Sequence, residues 1–357
     1  MSASPLSIGV LGLDRQGQQL LEAVSEIDSF RIGAVADKDN QLLETVSERY
    51  ACQAFDDVRQ FIVQNAFDCL FIATPLHRCL EPVRTAIKEG CHCLKLAPMA
   101  RDFEEAHELF RLTQNRGVRF DVVNPSRYVC SFQTLHRQVQ ERVIERPFLI
   151  RLFGDVGLIA GEDPQVYQLH PDSQNNWVTD QELAGGGVLL HNCYQLIDQL
   201  ICCFGLPQQV YALCNSQASA QQQLHHLTED TVLVSMQFNE SLIAELVALR
   251  HWDDRPAQES ITVYDRQRIV AASLDEFTSR HTNGYLEQQD SFACDQLALL
   301  KTLLQDYARS FTQPKECFFT SDSQSNLRVM AVMQAAYLSV RTGSPEEPER
   351  ILSIASL

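Results

Sequence analysis

The sequence predicts an α/β domain with a doubly wound parallel sheet, followed by an α+β domain on an open, mostly antiparallel sheet. Three observations carry this. From residue 6 to about 123, short apolar runs alternate with amphipathic stretches, the pattern of strands covered on both faces by crossover helices. Gly90 and Gly117 stand just past two of those stretches, where helices end. After Arg127 the apolar runs are joined by connections too short for helical crossovers, which favours antiparallel pairing.

In chain order, the strands of the first domain are "SIGVLGL", "RIGAVAD", "DCLFIAT", "CHCLKLA" and "VRFDVVN". The helices between them are "QGQQLLEAVSEI", "NQLLETVSERYA", "LEPVRTAIKEG" and "FEEAHELFRLTQNRG". The pattern changes near 124–127, so the expected domains are 1–125 and 126–357. The helix "SFQTLHRQVQERV" and the strand "PFLIRLFGD" open the second domain, and a polar excursion over 160–184 follows. One helix is expected through "GGGVLLHNCYQLIDQLICCFG", then strands in "QQVYALCNS", "DTVLVSMQF", "SLIAELVALR", "SITVYDR" and "RIVAASL". The polar stretch "SQASAQQQLHHLTED" is expected as a loop between two of them. Helices at about 289–312 and 323–342 close the chain, the last a candidate to pack back on the first domain.

The chain of 357 residues is 45% hydrophobic, enough for two cores. Its net charge of -17 excludes non-specific attraction to nucleic acid or anionic membrane, which needs basic patches. The N-terminus "MSASPLSIGVLGLD" has no basic n-region, so no signal peptide is expected. No stretch approaches the roughly 18 apolar residues of a membrane span, and a cytoplasmic location is expected. Twelve cysteines include no C-x-x-C pair; Cys91/Cys93 and Cys202/Cys203 read as buried free thiols, and no metal site is expected.

"GVLGLDRQG" follows the first strand and opens the first helix, the context in which G-x-G-x-x-G holds a dinucleotide pyrophosphate on backbone amides. The frame is Gly12-Leu13-Asp14-Arg15-Gln16-Gly17, with Asp14 in place of the central glycine. A carboxylate about 5 Å from an anionic ligand costs on the order of 1–3 kcal/mol at intermediate dielectric, and Arg15 offsets part of it. Asp37 lies twenty residues after Gly17, where a carboxylate binds the adenosine ribose and repels a 2′-phosphate, favouring NAD over NADP. The other role open to Asp37 is a strand-end cap for the helix at 40–49.

Taken in order, "GVLGLDRQG", "AVADKD", "FIATPLH", "GCHCLKLAPMA", "VVNPSRY", "WVTDQELAGGGVLLHNCYQLID", "EDTVLVSMQFNESL" and "AAYLSVRTGSP" resemble the glucose–fructose oxidoreductase / inositol dehydrogenase (Gfo/Idh/MocA) family nearly end to end. The resemblance implies an N-terminal Rossmann domain, a C-terminal sheet domain, NAD(P)-linked redox chemistry on a sugar or polyol, and dimers or tetramers built through that sheet. It also implies a catalytic lysine before Pro98 and a catalytic histidine two turns into the helix after the triple glycine. Those positions hold Ala97 and Gln195. Glutamine does not titrate near neutral pH and cannot act as a general base. The family's remaining aspartate in that helix corresponds to Asp198.

Two substitutes stand nearby. Lys95 shares a strand face with position 97, and His191 shares a helix face with position 195. Thr74, Pro75 and His77 follow the fourth strand, where doubly wound folds place ligands. Asn124 and Arg127 lie at the crossover; together with Trp177 and Asp198 they are expected to line the substrate cleft, which Gly185–Gly187 border. Tyr194 faces the other way by helical spacing and is expected in the core. Three readings remain open: a diverged family member that binds NAD and a sugar-like ligand without the standard reaction, an active dehydrogenase using His191 and Lys95, or a non-catalytic interaction protein. The strands between 208 and 272 have two apolar faces, so a sheet-to-sheet homodimer is expected.

Overall fold

A computed structural model describes residues 4–156, 176–216, 228–250, 257–293, 295–313 and 322–354. The chain divides into two compact units, the first holding residues up to Ala100, Glu104–Pro125 and Asp295–Leu327. Its elements are β1 (Leu6–Leu11), α1 (Arg15–Ser25), β2 (Phe30–Ala36), α2 (Asn40–Tyr50), β3 (Gln53–Phe55), α3 (Val58–Gln64), β4 (Cys69–Ile72), α4 (Leu80–Lys88), β5 (His92–Leu96), α5 (Phe103–Arg116) and β6 (Phe120–Val123).

The six strands run parallel in the order β3-β2-β1-β4-β5-β6. The order reverses between β1 and β4, so the crevice beyond the C-terminal ends of these strands is the ligand position of a doubly wound sheet. β4 and β6 are buried at every residue, as strands covered on both faces must be. Aspartates start the helices: Asp39 caps α2 through Gln41 N and Leu42 N, and Asp57 caps α3 through Gln60 N.

The helix Gln296–Ser310 belongs to this unit. Tyr307 packs edge-on against Phe71 at 5.9 Å and its hydroxyl lies 2.9 Å from Cys69 Sγ. Arg119 stacks over the Tyr307 and Phe311 rings at 5.2 and 4.5 Å and donates to Asp121 and Ser310. Burial pushes the Asp121 carboxyl up to about 7. The segment that groups with the first unit is Asp295–Leu327, which reaches into the start of the helix Ser323–Thr342.

The second unit contains α6 (Cys130–Gln140), β7 (Pro147–Val156), α7 (Gln181–Ala184), α8 (Val188–His191), α9 (Tyr194–Phe204), β8 (Gln209–Asn215), β9 (Thr231–Gln237), β10 (Ile243–Arg250), β11 (Gln258–Asp265), β12 (Arg268–Ser273), β13 (Glu276–His281) and β14 (Leu286–Ser291). Past α10, the helix Gln296–Ser310 of the first unit, come α11 (Ser323–Thr342) and α12 (Pro348–Ile354). The sheet order is β14-β13-β12-β11-β7-β10-β9-β8. All pairs are antiparallel except β10 with β7. β7 enters from before the helices and inserts between β11 and β10, so that pair is not bound by a short connection.

Two sequence expectations are corrected here. The stretch 289–312 is not one helix: "LEQQDS" pairs with β13 as a polar edge strand, and α10 begins behind Asp295, which accepts from Leu297 N and Ala298 N. The helix expected from the triple glycine is two helices, α8 and α9, separated at Asn192 and Cys193. Most of the 160–184 excursion and of the loop in "SQASAQQQLHHLTED" lies outside the described residues.

One face of the second sheet carries an uncovered apolar row beside the exposed Arg151–Glu245 ion pair. In register across β8, β9, β10 and β7 stand Leu213, Leu233, Val247 and Phe153. Leu213 is 56% exposed, Leu233 42% and Ile243 53%. On the other face, Glu259 lines a small cavity with Ser126, Ser131, Gln199 and Ser273. Burial pushes its carboxyl from 4.5 up to about 7. A folded-state value raised in this way gives stability that is full below about pH 4.5 and is lost as pH rises through 7. Glu259→Gln should therefore gain roughly 1–3 kcal/mol over the wild type at pH 8 and nothing at pH 4.5, read by urea unfolding at both. An equal gain at both pH values would contradict burial of the charge as the cause.

Candidate functional site

The nucleotide end of the first unit is assembled along the C-terminal ends of β2, β1, β4 and β5. Gly12 has φ +93° and its Cα hydrogens face the Ala73–Thr74 backbone, where a Cβ would lie 2.9 Å from Thr74 N. A Cβ on Gly17 would lie 1.9 Å from the Gly12 carbonyl oxygen. Both glycines are thus required by close backbone approach. Asp14 is not strained: its φ of -62° and ψ of -173° suit any residue.

Asp14 caps α1. Its Oδ1 accepts from Gln16 N at 3.0 Å and Gly17 N at 3.2 Å. Its side chain is exposed by area, yet the loop desolvates the carboxyl enough to raise it from its ordinary value. The two amides oppose that push and the charge of Asp37 adds to it. Asp37 accepts from Leu13 N at 2.6 Å through Oδ2 and from Asp39 N at 3.0 Å through Oδ1. Asp39, not Asp37, caps α2, leaving Asp37 to join the phosphate loop to the end of β2. Arg15 and Gln16 are exposed and Leu13 is buried.

Beyond β4, Thr74 Oγ1 lies 3.3 Å from Cys79 Sγ, whose single S–H is within reach of the Thr74 and Pro75 carbonyl oxygens at 3.2 and 3.3 Å. His77 Nε2 accepts from Arg78 Nε at 3.2 Å. At the end of β5 the Ala97–Pro98 peptide is cis. Lys95 is buried and its ammonium donates to Leu96 O at 2.9 Å and Pro98 O at 2.7 Å. Burial lowers its pKa, and Cys79 opposes the shift. Asn124 is buried after β6. Cys79 was missed in the sequence, since nothing there shows a thiol returning to the Thr74 turn.

In the second unit the triple glycine is explained by packing. A Cβ on Gly185 would lie 2.2 Å from Arg101 O, one on Gly186 2.1 Å from Tyr337 Oη, and one on Gly187 1.9 Å from Glu229 O. The buried Glu229 carboxylate accepts from Gly187 N, Leu189 N and the Tyr337 hydroxyl, capping α8. Burial raises its pKa and these donors hold it down. Glu229 and Tyr337 were missed because they lie about forty and 150 residues from the turn they fix.

The break between α8 and α9 separates the two residues expected on one helical face. His191 Nε2 lies 3.0 Å from Ala184 O, and its ring meets Trp177 edge-on at 5.5 Å. Gln195 instead accepts the Ser126 hydroxyl through Oε1, while Gln199 donates to Ser126 O at 2.9 Å. Arg127 and Asp198 are both buried and form a two-point ion pair, with Nε donating to Oδ2 at 2.7 Å and Nη2 to Oδ1. Burial works against the Arg127 cation, and Asp198 more than offsets it. Tyr194 is in the core, as its spacing predicts. Among the described residues no group of His, Cys, Asp and Glu side chains is arranged to hold a metal, and no helix is long and apolar enough to cross a membrane.

Residues 6–123 match the GFO_IDH_MocA oxidoreductase family with its NAD-binding Rossmann fold, and residues 132–267 match that family's C-terminal domain. The chain belongs to the Gfo/Idh/MocA family. A relative from Mediterraneibacter gnavus, 2,7-anhydro-N-acetylneuraminate hydratase, is 22% identical over 247 residues, 69% of this chain and 62% of that protein. The scyllo-inositol 2-dehydrogenase (NADP(+)) IolU of Bacillus subtilis is 22% identical over 139 residues, 38% of this chain and 42% of that protein. The chain thus matches under two thirds of the length of these relatives. An oxidoreductase from Agrobacterium radiobacter, solved with NAD+, L-tartaric acid and magnesium, superposes with a TM-score of 0.79 at 14% identity over 97% of this chain and 99% of that one. The WlbA dehydrogenase of Bordetella pertussis, solved with NADH and UDP-GlcNAcA, gives 0.77 at 17% identity over 96% and 98%. At these identities the likeness establishes the fold alone.

Proposed function

We propose that this family member binds NAD(H) and a sugar- or polyol-like small molecule in the cytoplasm without performing the family's standard hydride transfer. The observation that carries this reading is the state of the two proton-handling positions. Ala97 has no functional group, and Gln195 is a non-titrating amide engaged by Ser126. A bound nicotinamide supplies a hydride acceptor, but the hydroxyl proton has to leave through a protein base. Asp198 does not fill that role while it is committed to Arg127.

The competing assignment gives the lost roles to Lys95 and His191. It requires Lys95 to exchange the Leu96 and Pro98 carbonyls, and His191 the Ala184 carbonyl, for substrate.

For the cofactor, Gly12, Gly17 and Asp37 suit the adenosine end, with Thr74, Pro75, His77 and Pro98 along the same strand ends. Asp14 does not suit the pyrophosphate. NAD(H) is preferred over NADP(H) because Asp37 repels a 2′-phosphate. A thermal-shift titration tests this: stabilisation should grow with NAD(H) concentration and be weaker with NADP(H). No shift with either would favour the reading of a non-catalytic interaction protein with a vestigial cleft. The uncovered apolar row Leu213, Leu233, Val247 and Phe153 supports a homodimer formed sheet to sheet, and a monomer in sedimentation at micromolar concentration would count against it.

A further inference from the structure

We propose that Asp14 is an intramolecular stand-in for the pyrophosphate, holding the amides that a diphosphate must take, so that the nucleotide site discriminates against phosphate charge. The inference rests on the nucleotide reading above and concerns what limits affinity there.

Three of the amide donors at the mouth of the loop are already held by carboxylates. Gln16 N and Gly17 N go to Asp14, and Leu13 N goes to Asp37. A helix N-terminus attracts an anion because its first amides lack intrahelical partners. Here the chain's own anion has taken that place. The backbone around it has little room to yield: Gly12 is pressed against Ala73–Thr74 and Gly17 against the Gly12 carbonyl. Space for a diphosphate therefore has to come from the Asp14 side chain turning out of its cap. Even then its charge, with that of Asp37, remains beside the ligand. The adenosine end meets no such competitor, since Asp37 has acceptor capacity beyond its two amide bonds. Because Asp14 has an unstrained backbone and an exposed side chain, replacing it leaves the fold intact.

The charge and the cap are separable. Asparagine keeps an acceptor oxygen for the two amides and removes the charge, whereas glycine removes both. Calorimetric titration of the full chain with NAD and with adenosine should show Asp14→Asn tightening NAD by about tenfold while leaving adenosine within about twofold. Asp14→Gly should tighten NAD more than Asp14→Asn, because it frees the amides as well as removing the charge, and should lower Tm through loss of the cap; Asp14→Ser should restore the Tm and bring NAD affinity back to the Asp14→Asn level. Unchanged or weaker NAD binding in Asp14→Asn, with adenosine still bound, overturns this inference and leaves the nucleotide reading standing. Equal tightening of NAD and adenosine also overturns it, because the effect is then not on the diphosphate. Failure of both ligands to bind in every variant overturns the nucleotide reading itself, and this inference with it.

Discussion

Ala97→Lys combined with Gln195→His is expected to raise NAD-dependent oxidation of a sugar or inositol by about 10²–10⁴-fold over the wild type, the range that general acid–base help contributes. Position 97 directly follows β5, where its amide donates to Val123 O at 3.3 Å, so a lysine there starts from a fixed strand end. A histidine at 195 retains an acceptor for the Ser126 hydroxyl, which now binds Gln195, and gains a group that titrates near neutral pH. Initial rates across a polyol panel from pH 6 to 10 decide the matter. Wild-type turnover abolished by Lys95→Ala and by His191→Ala would instead establish the competing assignment. Wild-type turnover that persists in both alanine variants would mean that an unidentified residue moves the proton.

The largest expected effect on stability is at the buried ion pair. Asp198→Ala leaves the Arg127 guanidinium buried without its two-point partner. Removing one member of such a pair costs about 3–5 kcal/mol, whereas replacing both with apolar groups of similar size is often neutral or stabilising. Urea unfolding should therefore show a large loss for Asp198→Ala and recovery in Arg127→Met with Asp198→Leu. A loss below about 1 kcal/mol would mean that the pair is solvated and weak.

Five of the six parallel strands were legible because each is a short apolar run bounded by amphipathic helices, and because Gly12 and Gly17 stand at the spacing of a tight strand–helix turn; β3, the three residues Gln53–Phe55, has no such run. Asp14 was legible as a misfit, but its capping bonds were not, since the same residue type serves as cap or as repellent depending on side-chain direction. The second half of "LEQQDS", from 289, was taken into the helix that follows because an edge strand with polar residues on both faces has no period-two signal. The link of β10 to β7 and the return of α10 depend on long-range contacts such as Tyr307 with Cys69, 238 residues apart. His191 and Gln195 have helical spacing, yet the chain breaks at Asn192 and Cys193 and sends them to different partners. The triple glycine was legible as a turn. Its reason, the backbone and hydroxyl groups of Arg101, Glu229 and Tyr337, was not.

Binding without turnover is the central claim, and one fluorescence experiment reads both halves of it. NADH is titrated into the wild-type protein, and a panel of oxidised sugars and inosones is then added to the saturated complex. The account predicts a saturable change in nicotinamide emission that afterwards stays constant with every compound. Emission that decays on adding one of them, at a rate proportional to protein concentration, would contradict it.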